Sequence, residues 1–432
     1  MDEIVDERIE GAPGARLASW AGNVTYSARR LLEPTSVGEL RRVVAGSTRL
    51  RALGTRHSFS TVADTTGDLV SLARMPARLE IDPRSRTATV SGGLRFGEIA
   101  PELDRAGWAL ATMGSLPHIS VAGACATGTH GSGDANRVIA GSVGVVEFVA
   151  ASGDVVTLRR GEDGFDGAVV ALGRLGVVTA LTLDVRPRYE VRQIVHLGLP
   201  GDAAIEHVTQ LLAGGYSVSL FTRWTDPLEF QVVSKLVADT DGDPAPALAE
   251  GWGARPAREP WHPVPGMPTE NVTEQLGVPG PWFARLPHFR LEFTPSNGDE
   301  LQTEYFVPRE HAVAALTAVA GVAHLVAPVL QVGEIRSIAA DDQWLSPAHG
   351  RDSVGVHFTW MPDMASVRPA LAAVEEALAP LDPRPHWGKV FTTPASTVRR
   401  LYGRLPDANA LALRYDPDGV FRNAFVEEYL EG

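Results

Sequence analysis

Cysteine is nearly absent: the 432 residues hold one, Cys125. A single thiol excludes an internal disulfide and fits a reducing compartment, so the cytoplasm is the expected location. Positive charge is also in deficit. Lys and Arg number 39 against 52 Asp and Glu, a net charge of -13. That balance argues against a nucleic-acid partner and against docking on an acidic membrane surface. No long, strongly apolar run is present either. The nearest, 312–330, lacks Asp, Glu, Lys and Arg but is mostly alanine and valine, with Thr317, Gly321, His324 and Pro328 among them. It reads as a closely packed internal helix, since a span wants roughly 20 strongly apolar residues. The acidic start, Met1 to Glu7, has no apolar core and does not read as a signal peptide. Also missing are G-x-x-x-x-G-K-[ST], a G-x-G-x-x-G that opens a helix, H-E-x-x-H and any cysteine pair, so the common nucleotide fingerprints and zinc sites find no match.

What is present begins with Ser115–Gly133, which holds four glycines among alanine, serine and threonine. A backbone with so little side-chain bulk can turn its N–H groups onto an anion such as a pyrophosphate. Composition alone fits a surface loop as well as a cofactor loop. A second loop lies upstream, Ala52-Leu53-Gly54-Thr55-Arg56-His57-Ser58-Phe59.

The length allows two or three cores. Ser36-x-x-Glu39 is a capping-box pattern before a helical stretch. Leu50–Leu53, Asp68–Leu72, Thr87–Ser91 and Val177–Leu183 read as strands, Phe96–Arg105 and Phe165–Leu172 as helices. Val145–Ala150 and Val155–Leu158 flank Ser152-Gly153-Asp154 as a hairpin. Isolated strands, hairpins and helices together predict an α+β fold. Beyond Arg186-Pro187-Arg188 the strands lengthen: Tyr189–Leu199, Ser217–Trp224, Phe230–Leu236, Phe289–Phe293, Leu301–Val307, Val329–Ser337 and Ser353–Trp360. Residues 238–285 are proline-rich and read as a surface excursion. With helices over Pro308–Val326 and Met364–Leu378, this part reads as an antiparallel sheet covered on one face.

Two of those strands carry polar groups at strand period. Glu334 and Arg336 share a face, as do His357 and Thr359. Each strand alone reads best as a solvated edge; together they offer a wall of hydrogen-bonding groups for a polyhydroxylated ligand. Lys389, in Pro385-His386-Trp387-Gly388-Lys389, reads alone as an ordinary surface lysine. His118 and His130 raise a zinc hydrolase, and the polar wall a carbohydrate-binding module without chemistry.

With these residues in hand, the sequence resembles the alditol oxidase (xylitol oxidase type) branch of the vanillyl-alcohol oxidase flavoproteins. The likeness runs from Trp20-Ala21-Gly22-Asn23 through Ser115–Gly133, His262–Pro268, Thr273-Glu274-Gln275, Gly280-Pro281-Trp282, Gln343–Pro347 and His386–Lys389 to Asn423-Ala424-Phe425. The His-Trp-x-Lys element is shared with sugar-lactone oxidoreductases of the same family, which makes an aldonolactone oxidase or dehydrogenase the alternative activity. The resemblance implies an FAD domain from 1–187 with a C-terminal return, 386–432, and an antiparallel-sheet cap, 188–385, over the flavin.

It implies FAD attached covalently through His57. It places the cofactor contacts at Ala52, Leu53, Gly54, Thr55, Arg56, Ser58, Ser115, Ser120, Gly123, Ala124, Cys125, Ala126, Thr127, Val177, Arg336 and His386. The residue before the histidine is often glycine in relatives, so Arg56 is a departure. The polyol positions are Ser115, Glu334, Arg336, His357, Thr359 and Lys389, with Lys389 and Arg336 acting on the reacting hydroxyl. Arg336 cannot be the base, because a guanidinium is not neutral in a protein. The expected reaction takes a terminal primary alcohol of an alditol (xylitol, sorbitol, glycerol-like polyols) to the aldose and reduces O2 to hydrogen peroxide. Gly114 is the expected point of oxygen access, and no metal is implied. The expected partners are the polyol and O2 alone; the oligomeric state is left open, a monomer included.

Overall fold

The chain is described here by a computed structural model covering residues 17–238, 244–293 and 299–431. The acidic start lies outside those residues. A small parallel sheet sets Asp68–Val70 between Leu31–Leu32 and Leu50–Ala52. Beside it in sequence, an antiparallel sheet runs in the order Leu79–Asp82, Thr87–Ser91, Val177–Asp184, Val143–Val149, Val155–Arg159. The third sheet is the largest, with nine strands. Its core is antiparallel, in the order Glu190–Pro200, Glu229–Val237, Ser217–Thr222, Leu330–Ile338, Ser353–Trp360, Leu301–Pro308. This mixture is the α+β architecture expected.

Period-two patterning decides which way the large sheet faces. On Ser353–Trp360, Val354, Val356, Phe358 and Trp360 enter the apolar core, where Ala312–Gly321 and Met364–Leu378 pack on each other over the sheet. Gly355, His357 and Thr359 take the opposite face. That face is not solvated. Every residue of Leu330–Ile338 and Ser353–Trp360 is buried, so the solvated-edge reading of these strands is overturned.

Four local expectations need correction. Phe165–Leu172 is helical only to Ala168, and the chain beyond it turns left-handed at Leu172 and Gly173, at φ 53° and 71°. Phe289–Phe293 forms no strand beyond one bridge, Phe289 to Val272. The stretch after Pro308 is broken: Ala312–Gly321 is followed by Ala323–Val326, and the axis bends by 60°. No single helix among the described residues is long and apolar enough to cross a membrane. Ser36 does cap its helix by accepting from Glu39 N, at 3.2 Å, but the Glu39 side chain reaches one residue further back, to Thr35 N.

Residues from the far end of the chain close the N-terminal sheets. Buried Arg51 donates to the carbonyls of Val62, Leu172, Gly173 and Phe421. Asn423 Nδ2 donates to those of Thr61, Val62 and Asp64. Burial lowers the Arg51 pKa to about 10, so the guanidinium stays charged at neutral pH. In Arg51→Met four buried carbonyls lose this donor, and the expected cost is about 3 kcal/mol or more. Thermal melting of the flavin-loaded protein checks it; an unchanged midpoint would rule out Arg51 as the clamp.

Candidate active site

A cavity of about 1190 Å³ lies between the glycine-rich loops and the polar face of the large sheet. The whole run Ala52–Ser58 lines it, with Ser115, Ser120, Gly123, Ala124, Ala126, Thr127 and Val177. Cys125 does not. Its thiol is buried in the apolar core, which pushes its pKa up to about 12. On a short helix, Val121–Ala126, that position looks away from the cavity.

The two loops are fitted to each other by small residues and one hydroxyl. Thr55 Oγ1 accepts from Ser120 N at 3.1 Å and sits 3.1 Å from His57 Nδ1. A Cβ on Gly54 would stand 2.5 Å from Ser120 Oγ, so a larger residue there would displace the Ser120 hydroxyl. Arg56 adopts φ 63°, the left-handed region where glycine is easiest. Its backbone carbonyl accepts from Trp20 N and its side chain donates to Ala18 O. These contacts hold a non-glycine residue in that conformation. His57 stacks on Trp20 with centroids 5.3 Å apart. Its Nε2 is buried without a partner. Burial, then His118, lowers the imidazole pKa to about 3, so the ring is neutral.

Strand register builds the opposite wall in rows. Glu304, His357 and Glu334 lie side by side on neighbouring strands, and Gln302, Thr359 and Val332 form the next row. Arg336 follows opposite Gly355. A Cβ on Gly355 would approach Glu304 Oε1 to 2.9 Å, so this glycine makes room for the carboxylate. Lys389 arrives from another direction. Phe59 N donates to Gly388 O at 2.7 Å and Ser60 Oγ to Trp387 O at 2.6 Å, which ties the His386–Lys389 turn to the chain just after His57.

The charges meet at Glu304. Its Oε2 is 2.7 Å from Lys389 Nζ, and its Oε1 is 2.8 Å from Arg336 Nη2. His130 Nε2 stands 3.2 Å from Oε1, out of hydrogen-bond alignment. Arg336 Nη1 reaches Ser115 Oγ at 3.4 Å, and its Nε lies 3.6 Å from Glu334 Oε2. Burial pushes the Glu304 and Glu334 pKa values up, but the cations and histidines around them hold both well below the carboxylate range. Burial lowers Lys389, and Glu304 opposes that. His357, its Nε2 3.2 Å from Gln302 Oε1, is held neutral by burial and Lys389. His386 lines the cavity with Nδ1 accepting from Gly388 N.

All six substrate positions named from sequence therefore line one cavity with the His57 loop. Gly114 is not among its lining residues. Its own Cβ would meet Thr129 Cγ2 at 3.4 Å, an ordinary contact, and its φ is not left-handed. Sequence reasoning missed Glu304, Gln302, His288 and Lys235. Lys235 is fully buried, donates to Leu286 O and sits 3.3 Å from His288 Nδ1; His288 Nε2 is 3.0 Å from Glu334 Oε1. Burial lowers Lys235 to about 7 and His288 to about 4. Glu304 was legible in one respect only: it is the one charged residue of the buried strand Leu301–Pro308. His130, Glu304 and His386 also bring three donor atoms within 4.8 Å. Both Glu304 oxygens already face cations, so the trio serves an ion-pair network.

The cavity is larger than the roughly 300–1,000 Å³ of a drug-sized site, and its glycine-bearing side and orphaned His57 nitrogen fit a dinucleotide-sized cofactor. Comparison with known proteins agrees. The family described as "FAD binding domain" matches residues 28–159, and "D-arabinono-1,4-lactone oxidase" matches 298–429. The chain is 50% identical to an alditol oxidase of a Streptomyces species over 96% of this chain and 99% of that one. An L-gulono-1,4-lactone dehydrogenase of Mycobacterium tuberculosis is 28% identical over 96% and 98%. In fold, a solvent-stable cholesterol oxidase superposes with a TM-score of 0.76 at 14% identity, over 96% of this chain and 97% of that one. Half of its residues are shared with the Streptomyces protein across nearly its whole length, so the chain belongs to the vanillyl-alcohol oxidase family of FAD-dependent oxidoreductases, in its alditol oxidase branch.

Proposed function

We propose that the protein oxidises the terminal primary alcohol of alditols to the aldose, with O2 as acceptor and hydrogen peroxide as product. The observation that carries this is the convergence of Arg336 and Lys389 in a buried wall of hydroxyl-binding groups that faces the His57 loop across one cavity. Bound FAD would supply the hydride acceptor and the route of the electrons to oxygen. The chain supplies the rest. Arg336 and Lys389 bring two positive donors to the reacting oxygen, where charge develops in the transition state. Glu334, fixed through Oε1 by His288, presents Oε2 to a neighbouring hydroxyl, and Ser115, His357 and Thr359 set the register of the carbon chain.

The match of residues 298–429 to a lactone oxidase family favours a second reading, an aldonolactone as donor. Anaerobic bleaching of the flavin separates them. Xylitol is expected to bleach it and an aldonolactone to leave it oxidised; the opposite pair of results would overturn the alditol reading.

The FAD is read as covalently held by His57, with 1–187 and 386–432 forming the flavin domain and 188–385 the cap. The nine-stranded sheet supports that division, since it draws its strands only from 190–385. A cytoplasmic home rests on the single buried thiol.

Gly114 remains the proposed point of oxygen control, through the backbone next to Ser115. Because its φ is ordinary and a Cβ has space, Gly114→Ala should keep its melting point and flavin content. Reoxidation of the reduced flavin by O2 should slow severalfold while reduction by xylitol is unchanged. Unchanged reoxidation in stopped flow would remove Gly114 from oxygen control.

A further inference from the structure

A primary alcohol that gives up a hydride must also lose its hydroxyl proton, and the group that receives it has to be found among the residues around Lys389. The charged and titratable groups facing Lys389 are Glu304 on Leu301–Pro308, Glu334 and Arg336 on Leu330–Ile338, His357 on Ser353–Trp360, and His130 and His386 from the adjoining loops. Only Glu304 touches Lys389 directly, at 2.7 Å, with its carboxylate wholly excluded from solvent. Glu334 is already engaged by His288 and Arg336. His386 Nδ1 accepts from a backbone N–H. His130 faces Glu304 rather than Lys389.

We propose that Glu304 is the final holder of the hydroxyl proton, reached through Lys389. A buried ammonium–carboxylate pair this short can pass to its neutral form, because desolvation penalises both charges and the proton has only to cross the hydrogen bond. Lys389 Nζ gives a proton to Glu304 Oε2 and gains a lone pair. The amine would then take the proton of the substrate O–H as the C–H bond gives up its electron pair as hydride, for which bound FAD would be the acceptor. The alcohol is oxidised by two electrons, Lys389 is again an ammonium, and Glu304 carries one proton. Reoxidation by O2, which needs a proton to form hydrogen peroxide, returns the carboxylate. Arg336 on Oε1 keeps Glu304 oriented throughout. Glu304 thus acts through Lys389, and Lys389 is the group that touches the substrate.

The inference rests on the alditol reading, and the experiment separates the two. Anaerobic flavin reduction by xylitol is followed in stopped flow from pH 6 to 9 in wild type, Glu304→Gln, Glu304→Asp and Lys389→Met. In wild type the rate should be flat, because Glu304, held well below the usual carboxylate range, is ionised throughout. Glu304→Gln removes the acceptor, so Lys389 must lose its proton to solvent before it can act. Its rate should fall at least about 10²-fold at pH 7 and then climb with pH toward the lysine's own titration. Glu304→Asp keeps an acceptor and should stay flat, at a smaller loss. Equal melting points and flavin content qualify each variant. A Glu304→Gln rate near wild type, or a slow rate with a flat profile, would overturn the proposal and leave Glu304 a structural counter-ion. Fast reduction in Lys389→Met would likewise overturn the proposal, whereas no reduction of wild type by any polyol would instead overturn the reading on which it rests.

Discussion

His57→Ala is expected to change where the flavin goes on acid precipitation: the wild-type pellet stays yellow, and the variant releases all of its flavin to the supernatant. Covalent attachment needs a nucleophilic nitrogen, and a protonated imidazole has none to offer. Burial first, and His118 second, hold His57 down to about 3, so the ring is unprotonated at any pH near neutrality. Thr55 Oγ1 engages Nδ1, Nε2 has no partner, and the ring is stacked on Trp20. A neutral, oriented and half-unsatisfied imidazole at the wall of a large cavity is expensive to build for packing alone, because a buried ring nitrogen without a partner costs about 1–3 kcal/mol. The cavity of His57→Ala keeps its loops, held by Thr55 and Ser120, so the variant should still bind FAD, now reversibly. A wild-type pellet free of flavin would sink the covalent attachment while leaving FAD binding intact.

How much of this was legible depends on the distance over which each feature is determined. Helix ends at Phe96 and Arg105, at Met364 and Leu378, and strand ends at Ser353 and Trp360 follow from local pattern, and the structure places them there. The alternation that put Glu334 with Arg336 and His357 with Thr359 on shared faces is equally local. Whether those faces meet water or protein is not. It depends on the opposite wall, brought up by loops more than 200 residues away, and each strand read alone gave the wrong answer. Lys389 looked like a surface lysine for the same reason: hydrogen bonds from Phe59 and Ser60 to its turn, and from His386 and Val390 to the Leu301–Pro308 strand, carry it inside. Glu304 sits three residues into a strand whose polar face pairs with His357. Its significance needs three separate elements in register, which no pattern within one of them encodes. Arg56 is the converse. The sequence marked it as a departure from glycine, and its φ of 63° supplies the reason that glycine would suit the position.

Arg336→Ala should slow anaerobic flavin reduction by xylitol about 10³-fold, the scale of removing a positive donor from the site of developing charge. The argument is partly geometric. Among the described residues Arg336 is the one side chain that meets Glu304, Glu334 and Ser115 together, so its loss unfastens the hydroxyl-binding wall as well as the charge. It is also electrostatic. The two buried carboxylates are then left with the lysines and neutral histidines around them. Their folded pKa values, depressed in wild type, rise toward the unfolded range near 4.3 and above. A depressed carboxylate stabilises the fold above its unfolded pKa and loses that contribution as pH falls through the folded value. With the depression gone, acid unfolding should begin at a higher pH than in wild type, and the neutral-pH melting point should drop. Breaking a buried pair costs about 3–5 kcal/mol. Arg336→Lys keeps a cation near the carboxylates but not the fork that spans them, so most of the stability should return while most of the rate does not. A stable Arg336→Lys that reduces its flavin at nearly the wild-type rate would show that charge suffices and that the fork is not what the chemistry uses. Near wild-type reduction in a folded Arg336→Ala would take Arg336 out of the mechanism.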